Sequence, residues 1–563
     1  MGKKVILNLN IKKMLPFIIF ILLFVILFVS TNLSLRSPVV GSINPKIGIP
    51  GGELVIKGKY FGKDRKGGKV SVGGIYPPTD SYQEWQDNRI RLIIHEDMVS
   101  GLLKVITRVG ESKELVPFVN RKQFPKPLIG PLKAGEAYIQ SITPDKGSVG
   151  SIVTIKGINF SGERGGSEVY FAWMSGDKEQ SEIEAISSTS IPAALNDYDY
   201  IFWDDNEIKV RVPDGACSGN MFISTGNVVS NAEYFEVQEP VGQKTIDDQR
   251  IYQVYSSVKI KVIDAEPDNG LYIWVPGVLE TNLQREITLI SSSPEIPDDK
   301  KNNIMQFYFK NLLPGETQNI KQRYLFKRFA VSTKININKV IGIYNKESEL
   351  YKKYTAKDPL IPALNIKAIT ITREIVGREK NPYLKAHDIY NYVLNKLSFN
   401  PEDFNLKNYE IKSIESILND DKSIGDAYVY SILFCILART AGIPSRPVSG
   451  YLACSDLTST PHYWAEFYLE QFGWIPVDPY LGDGNKYPNF NRNSNYKNYY
   501  FGNIDNGHIT ITKGIEEIKQ ISHSGKIIKR RRTSSLQSIF EESIGNLHSY
   551  TTSWSPLGIM GFY

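Results

Sequence analysis

The chain has 563 residues, enough for several domains, and 41% of them are hydrophobic, so packed cores can form and a disordered or collagen-like chain is excluded. Tyr (32) and Phe (25) are plentiful beside 44 Gly and 30 Pro, a mix that suits β-rich domains joined by tight turns. A formal net charge of +6 on 66 basic and 60 acidic side chains supplies no global basic field for nucleic acid. The three cysteines, Cys217, Cys435 and Cys454, are too few and too odd in number for a disulfide framework, and read as small buried apolar residues.

The N-terminus opens with Lys3, Lys4, Lys12 and Lys13, followed by an apolar run from Met14 to Val29. The basic flank predicts a cytoplasmic 1–13 segment and export of the rest. Sixteen helical residues span about 24 Å, and continuation to Leu35 completes a membrane-length segment. Val29-Ser30-Thr31 suits signal cleavage poorly, so 14–35 is expected to be an uncleaved anchor, with a cleaved signal as the alternative. The expected location is the cell membrane, single-pass, with the bulk of the chain extracytoplasmic.

A self-comparison reveals a repeat. Residues 42–62 (SINPKIGIPGGELVIKGKYFG) match 141–161 (SITPDKGSVGSIVTIKGINFS) at an offset of 99, pairing Pro45 with Pro144, Gly58 with Gly157 and Phe61 with Phe160. A second block, Trp85, Asp87, Asn88 and Ile90, matches Trp203, Asp205, Asn206 and Ile208 at an offset of 118. The second copy therefore carries a 19-residue insertion within 162–202. Leu54-Val55-Ile56 and Val153-Thr154-Ile155 alternate as half-buried strands do, and Asp-Asn pairs supply turns. Each copy has the size and pattern of an immunoglobulin-like sandwich. The pattern I-x-P-x-x-G, strand, G-x-x-F, D-N-x-I resembles the IPT/TIG family over 42–120 and 140–238. That resemblance implies spacer or protein-binding modules.

Residues 250–345 read as another β-sandwich, with Val258-Lys-Ile260-Lys-Val262 alternating and Leu312-Leu-Pro-Gly315 as a turn. The stretch resembles the β-domain that precedes bacterial transglutaminase-like cores. From 346 the pattern becomes mixed α+β, with Leu384, Ile389, Tyr392, Val393 and Leu397 at helical spacing. Three motifs follow in order. GDAYVYSILFCILARTAGIPSRPVSGY spans 425–451; His462-Tyr-Trp464-Ala-Glu466 comes next; Gly473-Trp-Ile-Pro-Val-Asp478-Pro479 closes the series.

These motifs resemble the transglutaminase-like superfamily, and the resemblance implies an α+β, papain-like core over 346–515. It also implies a thiol nucleophile at the start of a buried helix, a histidine base and a carboxylate that orients it. His462 and Asp478 stand at the base and orienter positions. The nucleophile position holds Ala427, and its interval to Arg439 leaves no room for a displaced cysteine. The chemistry needs a thiolate activated by imidazole and a helix N-terminus, and alanine supplies neither proton nor lone pair. Cys435 lies eight residues along the same helix, about 12 Å away. No cofactor is expected, and no metal, because no second histidine or cysteine stands at ligand spacing from His462.

The expected function is a membrane-tethered extracytoplasmic binding or scaffolding protein with an inactive transglutaminase-like domain, a pseudoenzyme of the cell envelope. Its expected partner is a protein or peptide in the envelope, with the membrane engaged through the N-terminal segment and no nucleic acid. Alternatives are an acyl-transfer or peptidase-like hydrolase with another nucleophile, and a structural envelope spacer. Residues 516–563, with the basic run Lys526-Ile-Ile-Lys-Arg-Arg-Arg532, read as a mobile tail.

Overall fold

The structure, a computed structural model, describes residues 36–563 except 114–115, 121–135, 174–189, 226–227, 296–299, 362–364, 399–413, 531–532 and a few single positions. The expected anchor over 14–35 lies outside the described residues. No helix among the described residues is long and apolar enough to cross a membrane. The chain divides into two compact units, 1–124 and 125–563.

The first unit contains one strand-rich immunoglobulin-like module. One sheet runs in the order Val39–Asn44, Glu53–Lys59, Arg89–Ile93, Tyr82–Gln86. The facing sheet contains Ile47–Gly48, Val116–Asn120, Gly101–Thr107 and Lys69–Val72. Alternation places Leu54, Ile56, Ile90 and Leu92 of one sheet, and Val70, Val72, Leu103 and Val105 of the other, fully out of water.

The second module repeats the first sheet as Tyr138–Thr143, Ile152–Ile158, Glu207–Arg211, Tyr200–Trp203. The residues that betray the repeat in sequence carry equivalent bonds in both copies. Trp85 Nε1 donates to the Phe61 carbonyl at 2.9 Å, and Trp203 Nε1 to the Phe160 carbonyl at 3.0 Å. The Gly58 amide donates to the Asn88 carbonyl, and the Gly157 amide to that of Asn206. A Cβ at Gly58 or Gly157 would strike the carbonyl of Val39 or Tyr138 and the ring of Phe61 or Phe160, so glycine is required by close approach.

Where described, the stretch carrying the insertion contains the strand Ser190–Pro192. The short 3-10 helix Leu195–Asp197 that follows stands where the first module has the 3-10 helix Thr79–Ser81. Its Asp197 accepts a hydrogen bond from Arg446 of the α+β region. The hydrophobic core of this module runs on into Phe329, Val448, Trp464 and Ile504, so module and α+β region share one interior.

A 35-residue strand, β1 (Gly242–Pro276), organises the linking sandwich. It pairs antiparallel with β2 (Ile304–Lys310) and β3 (Thr317–Ile335). The α+β region then supplies helix α1 (Pro382–Lys396) and helix α2 (Ala427–Thr440). Its antiparallel sheet is built from β4 (Ser445–Ala453), β5 (Ser459–Leu469), β6 (Gly473–Val477) and β7 (His508–Lys513), in the order β6-β5-β4-β7. α2 is apolar nearly all round and buried from Val429 to Arg439, as a helix between a sheet and other helices must be. Gly442, at φ +76°, ends it in the left-handed region. Arg439 then ties the turn down by donating to the Ser445 and Ala356 carbonyls and pairing with Asp358 at 2.7 Å. Tyr451, Ala453, Ile509 and Ile511 pack into the core of the linking sandwich.

The expectation of a mobile tail over 516–563 is corrected. Strands β8 (Glu541–Trp554) and β9 (Gly558–Phe562) both pair with β1, and Tyr563 exchanges backbone bonds with Ile251. The basic run is partly structural as well: Arg530 pairs at 2.6 Å with Glu541, which is fully buried. The long β1 leaves an edge, and the C-terminal chain satisfies its backbone groups.

Candidate functional site

The site is assembled where the start of α2 meets the β6-β5-β4-β7 sheet. Asp426 is the N-cap of α2, its carboxylate accepting from the Val429 amide at 3.1 Å. Ala427, the next residue, is 3% exposed, and its side chain is a methyl group at the helix end best suited to hold a thiolate. His462, on β5, is fully buried, and its Nε2 lies 2.6 Å from Asp478 Oδ2. Asp478 stands just after β6, where its Oδ1 accepts from the Leu481 amide at 2.9 Å and starts a short helical turn. The structure thus brings His462 and Asp478 together.

Three further groups complete the cluster. His508, at the start of β7, sets its Nε2 3.1 Å from the same Asp478 Oδ2, and its Nδ1 2.8 Å from Asp505 Oδ1. Asp505 also accepts from the Tyr500 hydroxyl at 3.0 Å. The Tyr487 hydroxyl lies 3.2 Å from His462 Nδ1. Gly450 of β4 stands directly opposite His462 in register, beside a bulge where β4 meets β7. A side chain at 450 would collide with the Ile509 carbonyl, so glycine lets the strand bearing His508 close in. The two imidazole centroids are 5.5 Å apart.

The electrostatics divide the two imidazoles. Burial pulls the His462 pKa down, and the attraction of Asp478 only partly offsets it, aided in the downward direction by His508. Burial also opposes charging of His508, but Asp505 and Asp478 on its two nitrogens overcome it and raise it to about 9. Asp478 and Asp505 are both held below the ordinary carboxylate range: burial alone would raise them, and the imidazoles reverse that. The surroundings thus favour the charged form of His508, set between two carboxylates, and the neutral form of His462. Burial, followed by Tyr480, Asp478 and Asp426, keeps the Tyr487 phenol un-ionised. Tyr430 of α2 meets Tyr480 edge-on at 5.5 Å and Tyr428 meets Tyr463 at 5.2 Å, which brings the first turn of α2 beside the rings around His462.

Neither cysteine of this region serves the site. Both ring nitrogens of His462 are engaged, by Asp478 and Tyr487. Cys435 is fully buried within α2, and burial pushes its thiol up to about 12. Burial likewise raises Cys454, the residue after β4.

The expectation of no metal ligand set is corrected in its premise. A second histidine does stand at ligand distance: the donor atoms of His462, Asp478 and His508 all lie within 4.8 Å of one another. The sequence hides this because His508 is 46 residues from His462 and comes from a strand two places across the sheet. Tyr487 was equally hidden in a polar loop; the only signal for His508 was its place at the head of an alternating strand.

Comparison with known proteins gives the same partition. Residues 369–479 match the transglutaminase-like superfamily, and residues 38–118 and 137–236 match the IPT/TIG domain. A Haemophilus influenzae protein, named only as uncharacterized, is 25% identical over 197 residues, which is 30% of this chain and 53% of that protein. The chain therefore spans about half the length of this curated relative. A solved candidate cysteine protease from Cytophaga hutchinsonii aligns with 57% of this chain and 92% of its own, at 14% identity and a TM-score of 0.38. SGBP-B from a xyloglucan utilization locus of Bacteroides uniformis aligns with 53% of this chain and 99% of its own, at 10% identity and a TM-score of 0.13. The chain carries a transglutaminase-like core behind two IPT/TIG domains.

Proposed function

We propose that this chain, with its transglutaminase-like core and two IPT/TIG domains, is an extracytoplasmic, membrane-tethered protein that binds a protein or peptide without turning it over. The observation that carries the reading is the pairing of Ala427 with a capped base. The helix head that should present a thiol presents a methyl group, and His462 Nδ1 faces a neutral phenol. Acyl transfer through a covalent intermediate needs a nucleophile whose proton the imidazole takes. Losing that nucleophile costs on the order of a million-fold in turnover. The Tyr487 hydroxyl does not replace it, because its surroundings oppose ionisation.

Tethering is supported by the basic flank and apolar run of the first 35 residues. Binding is supported by the partly exposed Tyr487, whose ring packs over the buried His462 and Tyr480 and whose open face can meet a peptide. The test is turnover and binding measured side by side. The full chain is incubated with a fluorescent amine and a glutamine-bearing peptide, and separately titrated with immobilised envelope peptides. Binding that weakens in Tyr487→Ala, with no product above background, supports the reading. Product formation that depends on His462 overturns it.

A further inference from the structure

We propose that His462, Asp478 and His508 form a buried binding site for one divalent ion of the zinc class. The inference does not depend on the loss of the nucleophile, since such a site would sit equally well beneath an active cleft.

The donor set comes first. Two imidazole nitrogens and one carboxylate oxygen, from β5, the residue after β6 and the start of β7, converge within 4.8 Å of one another. That set suits zinc and its first-row neighbours; calcium and magnesium favour all-oxygen shells. All three side chains are fully buried.

The second observation is how each donor is held. A metal-binding imidazole usually gives its other nitrogen to an outer partner that fixes its orientation. His508 Nδ1 is fastened to Asp505, itself held by the Tyr500 hydroxyl and the Gly507 amide at 2.9 Å. His462 Nδ1 is fastened to the Tyr487 hydroxyl. Asp478 commits Oδ1 to the Leu481 amide. Each residue therefore uses its far atom for support and turns Nε2, Nε2 and Oδ2 toward a common point.

The adjustment required is small. Metal bonds near 2.0–2.1 Å at tetrahedral angles set donor atoms about 3.3 Å apart. The two spacings to Asp478 Oδ2, 2.6 and 3.1 Å, open by less than 1 Å, while the two imidazole nitrogens, within 4.8 Å of each other, close by up to about 1.5 Å. On coordination the His462 proton moves to Nδ1 and donates to the Tyr487 oxygen. His508 keeps its Nδ1–H on Asp505 and releases the proton on Nε2 to solvent. Asp478 and Asp505 supply the two negative charges that balance the ion.

The test uses the full chain without a polyhistidine tag, stripped by chelator, dialysed, and titrated with zinc and with cobalt(II). One equivalent bound at sub-micromolar Kd, with the intense visible bands of four-coordinate cobalt, is expected. His508→Gln should weaken binding at least 100-fold, and Asp505→Asn by 10- to 100-fold. Absence of a saturable one-to-one site in the folded chain overturns the proposal, as does binding that survives unchanged in both His462→Gln and His508→Gln. If a variant fails to fold, the cobalt spectrum of the unaltered chain decides alone. Turnover without metal binding would overturn the preceding reading and this one separately, since neither outcome determines the other.

Discussion

The two immunoglobulin-like modules descend from one pattern yet are built into the molecule differently. Both keep the Trp-to-carbonyl and Gly-to-Asn bonds that close the first sheet. Only the second has the insertion, and its 3-10 helix carries Asp197, which accepts from Arg446. Arg446 is fully buried, donates to Glu466 at 3.0 Å, and lies over the Trp474 ring at 3.8 Å. Lys244 adds a pair with Asp214 of the second module and a bond to the Trp474 carbonyl. The first module ends in a compact unit of its own, whereas the second shares a hydrophobic interior with the α+β core. The same internal scaffold thus occurs in a module that is a compact unit by itself and in one whose hydrophobic interior continues into the α+β core.

The sharpest break of this comparison is Arg446→Ala. Removing Arg446 strips Asp197 of its pair and leaves the buried Glu466 with Lys513 alone, and breaking a buried ion pair costs about 3–5 kcal/mol. Denaturant unfolding should show the transition of the second unit moving down by that amount. The transition of the first module should stay in place. A common shift of both would show that the modules are not energetically distinct.

Acid provides the next test. Burial alone would raise the Glu466 carboxyl, but Lys513 at 3.0 Å and then Arg446 hold it down at about 2. A carboxyl depressed in the folded state adds stability that is complete above its unfolded value near 4.5 and is lost as pH falls toward 2. The contribution is about 3 kcal/mol at neutral pH. Glu466→Gln should remove that stability and flatten the pH dependence of the second unit between pH 5 and 2, read from urea midpoints.

The smallest effect comes from the repeat itself. Trp85→Phe and Trp203→Phe each delete one indole-to-carbonyl bond, worth about 1 kcal/mol. The first should move only the transition of the first module and the second only that of the larger unit. Both are read by differential scanning calorimetry.

What the sequence disclosed follows the range of the interactions. The repeat was legible because residues keep their spacing inside each of the two blocks, although the interval between the blocks is 19 residues longer in the second copy. His462 and Asp478 were legible because each sits in a short motif with its own strand. Arg446 to Asp197 spans 249 residues, and nothing local to either marks the pair. His508 and Tyr487 reach His462 only through sheet order and a loop. The C-terminal strands were missed because Ser, Thr and Asn interrupt their alternation, and their partner is a strand some 280 residues earlier. Local patterns therefore disclosed the elements, and long-range pairing determined which of them meet.

The site account is tested most directly by putting the sulfur back. The rate of labelling by a small electrophilic thiol probe should be measured in the unaltered chain, in Ala427→Cys, and in Ala427→Cys combined with His462→Ala. The account predicts fast labelling at position 427 that collapses without the imidazole, and no labelling of Cys435 or Cys454 in the folded chain. His462-dependent labelling of either native cysteine, or a thiol at 427 no more reactive than a free one, would contradict it.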